Sequence, residues 1–267
     1  MKTKKMIPFY FKAIILLLLL SSKQSFGQQQ IQETNIKILP VLWQQTSAEY
    51  RALCYQAFNL ASLRLKEIPN QQIKKRNLAI ITDLDETILD NSGFEAHLIK
   101  EKIQISDREW NLWTDQSRAL AVPGAVSFLQ EASKMGITIF YVSNRDTSAV
   151  KSTILNLQKL KLPNADAQHC LFKKESSSKE ERRLAVEKNY NLIMLLGDNL
   201  NDFTAAFEKK NIPQRLTETD KEQNQWGKKF IVLPNPVYGE WENALYNYVQ
   251  NKIEPEREQN RLNLLVE

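Results

Sequence analysis

The chain has 267 residues and a formal net charge of +5, a balance that by itself suggests an anionic partner such as nucleic acid or a membrane surface. Residues 1–27 contain five of the 36 basic side chains and no acidic one, so residues 28–267 carry 31 side chains of each sign and give no such indication. The seven glycines are widely spaced and there are only two histidines and two cysteines, which excludes a Gly-rich phosphate-binding loop, a three-His zinc site and a Cys-x-x-Cys motif.

The first segment, residues 1–27, has the three-part layout of a secretory signal peptide. Lys2, Lys4 and Lys5 form a basic start ahead of the apolar run 13–20, and small residues stand before a cut between Gly27 and Gln28. The run is shorter than the roughly 20 residues that span a bilayer, and no cysteine directly follows it for lipid attachment. We therefore expect a protein that is exported to the periplasm or secreted, without a stable membrane anchor; an uncleaved anchor is the alternative.

The rest of the chain is predicted to alternate between helices and short apolar strands. Residues 28–45 are Gln-rich and predicted to form an extended lead-in, the basic cluster 74–76 a solvated turn, and residues 253–267 a charged tail. The spacing of apolar residues predicts helices over 47–68, 106–117, 123–134, 147–160, 178–189, 201–210 and 240–251, and strands over 78–82, 137–142, 192–196 and 230–233. This alternation indicates an α/β fold with a buried parallel sheet.

Polar residues follow three of the predicted strands. Asp83 and Asp85 follow the first strand, residues 143–145 (Ser-Asn-Arg) the second, and Asp198 and Asp202 the third. Because ligands of open α/β sheets bind beyond the carboxyl ends of the strands, we expect the four carboxylates to converge there. With no His or Cys cluster in the sequence, an all-oxygen site suited to Mg²⁺ is the prediction.

The pattern fits phosphoryl transfer by a covalent route. One carboxylate attacks phosphorus, and a second carboxylate two residues on protonates the leaving oxygen and then activates water. Ser143 and Lys179, which lies at the start of a predicted helix, would hold the non-bridging oxygens. A lone Asp-x-Asp is common in turns after strands, but three strand-end motifs in this order with an intervening lysine rarely arise by chance.

These residues resemble the haloacid-dehalogenase-like (HAD) phosphatases. That family's pattern of Asp-x-Asp-x-Thr, Ser or Thr, Lys and Gly-Asp-x-x-x-Asp is present here as Asp83/Asp85/Thr87, Ser143, Lys179 and Gly197-Asp198/Asp202. The segments 83–92, 121–126, 143–145, 173–182, 197–203 and 230–241 are further similar to the bacterial class C acid phosphatases, the lipoprotein e family of 5′-nucleotidases. The similarity covers roughly residues 45–250.

The resemblance implies a fold and a set of roles. The fold is a Rossmannoid parallel sheet with helices on both faces, in a domain over 46–252 with helical cap segments at about 46–70 and 92–120. The implied catalytic residues are Asp83 as nucleophile and Asp85 as general acid/base. Mg²⁺ would be bound by Asp83, the Asp85 backbone carbonyl and Asp198, with Asp202 in support. The residues assigned to the phosphoryl group and the rest of the substrate are Ser143, Lys179, Thr87, Asn144, Arg145, Trp110 and Tyr238.

Trp110 and Tyr238 match the aromatic positions that clamp the nucleoside base in the family, with core packing as the alternative. The expected activity is an exported, Mg²⁺-dependent acid phosphatase for phosphomonoesters, nucleoside 5′-monophosphates in particular. A phosphatase or phosphotransferase for another small organic phosphate and a non-catalytic binding protein are the alternatives. Family members commonly carry a lipid-anchor cysteine, which this chain lacks.

Export would bring Cys54 and Cys170 into an oxidising compartment, where they could form a disulfide. The alternative, which we favour, is two buried and unpaired thiols.

Overall fold

A five-stranded parallel sheet forms the centre of the computed structural model, which describes residues 36–69, 71, 77–249 and 252–267. The sheet contains β1 (Leu78–Thr82), β4 (Thr138–Asp146), β5 (Cys170–Lys173), β6 (Asn191–Gly197) and β7 (Phe230–Val232). Two short strands, β2 (Leu89–Asp90) and β3 (Leu120–Ala121), form a separate pair. The sheet has the order β5-β4-β1-β6-β7, and all four pairings between neighbours are parallel. The predicted parallel α/β sheet is confirmed.

Strand β1 shows why the sheet is covered on both faces. All five of its residues are buried, and successive side chains of a strand point to opposite faces. Leu78 and Ile80 join the larger hydrophobic core, whereas Ala79 and Ile81 join a smaller core on the other side. An apolar run without alternation therefore predicts a central strand between two layers of helices.

Between residues 48 and 264 the described helices are α1 (Ala48–Lys66), α2 (Ser92–Glu101), α3 (Asp107–Asp115), α4 (Ala125–Lys134), α5 (Val150–Lys159), α6 (Glu180–Glu187), α7 (Ile212–Lys221), α8 (Glu240–Leu245) and α9 (Glu254–Leu264). Helix α1 begins where the Ser47 hydroxyl accepts a hydrogen bond from the backbone N–H of Tyr50, at 3.0 Å. It packs on α4, where the ring centroids of Phe58 and Phe128 are 5.6 Å apart. Gly124, at φ +93°, precedes α4, and a Cβ there would come within 2.9 Å of Phe58.

Helices α2 and α3 form an insertion that is bracketed by the short antiparallel pair β2 and β3, in which Leu89 faces Ala121. The ring of Phe94 packs against Trp110 and Trp113, with centroid distances of 5.1 and 6.1 Å. This insertion lies within the segment 92–120 that was predicted as part of a cap, and the domain boundaries themselves stay a prediction.

The predicted extended lead-in is wrong over its described part, because residues 36–46 are helical. Long-range contacts hold this helical segment: Val41 is buried, and the Gln44 side chain donates a 2.9 Å hydrogen bond to the Asp90 carboxylate. Its Gln-rich sequence carries only a weak helical pattern, and tertiary packing supplies the rest.

The predicted helix over 201–210 is also wrong. The segment forms two 3₁₀ turns, Leu200–Asp202 and Ala205–Phe207. Side chains of Asn199 and Thr204 accept hydrogen bonds from backbone N–H groups two residues on, so each starts a new short turn instead of continuing one helix. Helix α7 and edge strand β5 were not predicted, and the last predicted helix ends early, at Leu245.

The remaining predictions concern the charged tail, the cysteines, the membrane anchor, the signal peptide and the basic turn. The charged segment 253–267 contains helix α9, whose first residue, Glu254, is buried and pairs with Arg261. Cys54 and Cys170 are both buried and unpaired, as we favoured. Within the described ranges, no helix is long and apolar enough to cross a membrane. The predicted signal peptide (1–27) and the basic turn (74–76) lie outside the described residues.

Candidate active site

The carboxyl ends of β1, β4 and β6 meet at one edge of the sheet, because β1 lies between the other two strands. The backbone N–H of Asp83 donates to the carbonyl of Leu196 at 2.9 Å, which joins the ends of β1 and β6. Carboxylate oxygens of Asp83, Asp198 and Asp202 lie within 4.8 Å of one another. The predicted convergence of carboxylates is therefore observed for these three residues.

The Lys179 ammonium group lies between two of these carboxylates. It donates to Oδ1 of Asp83 and, at 2.6 Å, to Oδ1 of Asp202, and all three side chains are buried. Burial alone would lower the pKa of Lys179, but the carboxylates of Asp202 and Asp83 outweigh it and raise the pKa, so the lysine stays charged. From the sequence, Lys179 was expected to contact the phosphoryl group of the substrate. In the structure its ammonium group contacts Asp83, the residue predicted to attack that group.

Asp198 is held by two side chains behind it. Thr87 donates to its Oδ1 at 3.1 Å and Asn235 donates to its Oδ2 at 2.8 Å. Thr87 is fully buried, so it orients Asp198 and cannot contact a substrate as the sequence suggested. Asn235 was missed, and its only signal is the Pro-Asn-Pro sequence that follows β7.

The three carboxylates fit a divalent cation. Burial, together with Asp202 and Asp83, raises the pKa of Asp198 well above its ordinary value. Burial likewise raises the pKa of Asp83 to about 7, with Asp202 and Asp85 adding to the effect and Lys179 opposing it. The single positive charge of Lys179 therefore does not neutralise the three carboxylates. Their oxygen atoms are the ligands that hard cations such as Mg²⁺ prefer.

Asp85 lies beside this cluster and is anchored separately. The Arg145 guanidinium donates to it through both Nε and Nη2, with an Nη2–Oδ1 distance of 2.7 Å. Asn91 Nδ2 donates to the same oxygen at 2.9 Å, and the Ser143 hydroxyl lies 3.4 Å from Oδ2. Ser143 is itself fully buried, so in this arrangement its hydroxyl touches Asp85 and the Arg145 N–H. From the sequence, Arg145 was predicted to bind the substrate, but in the structure its guanidinium group binds Asp85.

The carboxylates form the floor of a cavity of about 350 Å³ with an aromatic wall. Asn144, Trp110 and Tyr238 all line it, as predicted for substrate-binding residues, and their roles stay predictions. Trp110 lies 5.4 Å from the Arg145 guanidinium, measured to the ring centroid. The Tyr238 hydroxyl donates to the carboxylate of Glu86. Burial and the carboxylates of Glu86 and Asp85 raise the pKa of Tyr238 well above its ordinary value, so the hydroxyl keeps its proton.

One cavity residue comes from a segment that sequence reasoning left out. Lys37, in the helical segment 36–46, lies 5.9 Å above the ring centroid of Tyr238 and pairs with Glu95 at 3.2 Å. Nothing in the local sequence around Lys37 indicates this, because its partners are 58 and about 200 positions away.

Comparison with known proteins identifies the family of the chain. The family model of the HAD superfamily, subfamily IIIB (acid phosphatase), matches residues 21–241. The class C acid phosphatase of Bacillus anthracis has 35% identity over 89% of this chain and 99% of its own, with a TM-score of 0.82. A second structure of that enzyme, with tungstate bound, has 36% identity over 88% and 98% of the two chains and the same TM-score. The chain therefore belongs to subfamily IIIB of the HAD superfamily, the acid phosphatases, and is a phosphomonoesterase, and its three clustered aspartates could hold the divalent metal that enzymes of this superfamily use.

Proposed function

We propose that this phosphatase is an exported, Mg²⁺-dependent enzyme that hydrolyses nucleoside 5′-monophosphates through a phosphoryl group carried on Asp83. The observation that carries the proposal is the composition of one cavity. Its floor holds Asp83 and Asp85, and its wall holds Trp110 and Tyr238. A phosphomonoester with a planar ring on its leaving group would contact both parts at once.

The two aspartates divide the chemistry between them. The Asp83 carboxylate attacks phosphorus, and the bond from phosphorus to the ester oxygen breaks while Asp85 gives that oxygen its proton. Asp85 then takes a proton from a water molecule, whose oxygen attacks the phosphoryl group and releases free Asp83 and inorganic phosphate. Arg145 and Asn91 keep the Asp85 carboxyl at the cavity, and Lys179 offers positive charge to the phosphoryl oxygens.

Asp83, Asp198 and Asp202 would hold the metal ion, which would stabilise negative charge on the phosphoryl oxygens when bound. The Bacillus anthracis enzyme is described with tungstate bound, an oxyanion that resembles phosphate, and this supports the binding of a phosphate-like oxyanion by this chain.

The nucleotide part of the proposal depends on the aromatic wall. A base stacked on aromatic side chains gains about 1–3 kcal/mol without regard to which base it is. The cavity volume of about 350 Å³ also suits a small organic ligand. Export is supported by the layout of residues 1–27, and fractionation of cells that express the full chain would test it.

Replacement of the nucleophile tests the covalent route. We expect Asp83→Asn to lower kcat with a nucleoside monophosphate by at least about a thousandfold, since removal of one member of a catalytic group abolishes most of its effect. Asp166→Asn is the matched control, because Asp166 pairs with His169 at the surface away from the site. Turnover near that of the wild type in a folded Asp83→Asn protein would refute the mechanism.

Metal removal tests the cofactor. Treatment with EDTA should abolish activity on every phosphomonoester, and added Mg²⁺ should restore it. Activity that persists in excess EDTA, or that Mn²⁺ or Ca²⁺ restores and Mg²⁺ does not, would contradict the assignment to Mg²⁺.

Truncation of the aromatic wall tests the substrate. Tyr238→Ala and Trp110→Ala should each raise KM for a nucleoside monophosphate about 5- to 100-fold, while KM for glycerol 2-phosphate, which has no ring to stack, changes by less than about twofold. Tyr55→Ala, an exposed tyrosine on α1, serves as control. Equal losses on both substrates would show that the rings do not stack a base.

A further inference from the structure

Glu86 is a buried carboxylate that the proposed chemistry does not use. It follows Asp85 directly, is only 1% exposed, and does not line the cavity. Its backbone has φ +58°, in the left-handed region that residues other than glycine rarely adopt. Such a conformation persists where surrounding contacts fix it, and such residues are often functional.

Glu86 is hydrogen-bonded to two residues that line the cavity, Asn91 and Tyr238. Asn91 donates to it twice, from the backbone N–H to Oε1 at 2.8 Å and from Nδ2 to Oε2 at 3.4 Å. The Tyr238 hydroxyl donates to Oε2. Glu86 therefore connects the loop after β1 with the loop after β7, 152 positions further along the chain.

Two kinds of contact restrain Tyr238 besides its hydroxyl bond: the Lys37 ammonium group lies over one face of the ring, 5.9 Å from its centroid, and the backbone of its loop is hydrogen-bonded. Its loop is held through the backbone, because the Asn235 side chain accepts from the N–H groups of Val237 and Tyr238. These bonds leave side-chain rotation free. Among the contacts of the described residues, the hydroxyl bond to Glu86 holds the far end of the phenol, and it keeps the ring in place as a wall of the cavity.

We propose that Glu86 is a positioning residue, which holds the Tyr238 ring in place and thereby sets the preference for leaving groups that carry a planar ring. A ring that is already in its bound orientation loses less conformational freedom when a base stacks on it. Since Glu86 acts through Tyr238, its role rests on the proposed stacking of the base.

Tyr238→Phe is the cleanest test, because it keeps the ring and removes only the hydroxyl. We expect the ratio of KM for a nucleoside monophosphate to KM for glycerol 2-phosphate, which has no ring to stack, to rise about 3- to 10-fold over that of the wild type. Tyr141→Phe is the matched control, since it removes a buried hydroxyl that donates to the Pro163 carbonyl, outside the cavity. Tyr141→Phe should show any general loss of stability that comes from removing a buried hydroxyl, and its KM for both substrates should stay unchanged.

Two substitutions of Glu86 extend the test. Glu86→Met cannot bond the hydroxyl and should raise KM for the nucleotide as Tyr238→Phe does, whereas Glu86→Gln keeps polar atoms that can bond it and should restore most of the affinity. The double variant Glu86→Met/Tyr238→Phe should be no worse than either single variant, because both remove the same link.

The outcomes separate this proposal from the proposed substrate. Selective loss in Tyr238→Ala with wild-type behaviour in Tyr238→Phe would overturn the role of Glu86 and leave base stacking intact. Losses in Tyr238→Ala that are equal on both substrates would instead remove the stacking itself. A fall in kcat on both substrates in Glu86→Met, with Tyr238→Phe unaffected, would assign the effect to Asp85 and also overturn the proposal.

Discussion

Gly197, the last residue of β6, leaves space for the carboxylate cluster because its side chain is a single hydrogen atom. A Cβ at this position would lie 2.5 Å from the Cβ of Asp202 and nearer still to its carboxylate. The backbone of Gly197 is not in the left-handed region, so the glycine is required for space and not for conformation. Asp202 can fold back against the strand end, towards Lys179, only because nothing projects there.

Gly197→Ala should therefore displace Asp202 and lower kcat/KM by about a hundredfold, since misplacement of a catalytic group by about 1 Å has an effect of this size. Mg²⁺ dependence and thermal unfolding should be measured together with activity. Gly136→Ala is an instructive control, because Gly136 has φ +87° but no atom within 4 Å of the new Cβ. The control should lose stability and keep its activity per folded molecule; an active Gly197→Ala enzyme would contradict the steric argument.

Helix α6 is hydrogen-bonded to two segments at the catalytic edge of the sheet, the last part of β4 and the loop after β6. Arg182 donates to the Ser143 carbonyl and to the Asn144 side chain, both at 2.6 Å, and so holds the end of β4. Arg183, the next residue, donates to the carbonyls of Asn201 and Asp202 at 3.1 and 2.9 Å, and so holds the loop after β6. Because Lys179 immediately precedes this helix, the position of its ammonium group depends on both attachments.

Arg182→Ala should lower kcat/KM about 10- to 100-fold on a nucleoside monophosphate and on glycerol 2-phosphate alike, because it loosens the phosphoryl side of the site and leaves the aromatic wall unchanged. Steady-state kinetics with the two substrates would measure this. Arg182→Lys should recover only part of the loss, since a lysine cannot reproduce the guanidinium geometry. Arg108→Ala, an exposed arginine on α3, is the control. A loss confined to the nucleotide would contradict this assignment.

At the scale of the whole molecule, both cysteines belong to the larger hydrophobic core. Cys54 lies on α1 and Cys170 on β5, on elements that enclose the same core. Burial raises the pKa of the Cys54 thiol to about 11 and that of the Cys170 thiol to about 12. Reactive thiolate is therefore scarce in the folded protein, and access to it requires the core to open.

A thiol reagent such as Ellman's reagent should therefore react slowly with the native protein at pH 8, where only about one Cys54 thiol in a thousand is ionised. Both thiols should react at the rate of a free cysteine in guanidinium chloride. The single variants Cys54→Ser and Cys170→Ser would assign the two reactions. Rapid labelling of both thiols in the native state would show that this core is not closed.

Much of the site was predictable because it depends on a local pattern. The apolar runs predict four of the five strands of the sheet, and three of these runs are followed directly in sequence by the polar residues of the site. Once the strands are parallel, their carboxyl ends lie at one edge whatever the details of packing, so Asp83 and Asp198 must come close. The divalent-metal cluster and the phosphatase family could thus be inferred without a structure.

What only the tertiary structure decided are the pairings between side chains that are far apart in the chain. Arg145 binds Asp85 across 60 positions, Asn235 binds Asp198 across 37, and Tyr238 binds Glu86 across 152. The helical segment 36–46, which was expected to be extended, brings Lys37 to the cavity by the same kind of contact. A sequence pattern determines which face of a strand or helix is buried, but distances of a few ångströms between such residues depend on how the whole core packs.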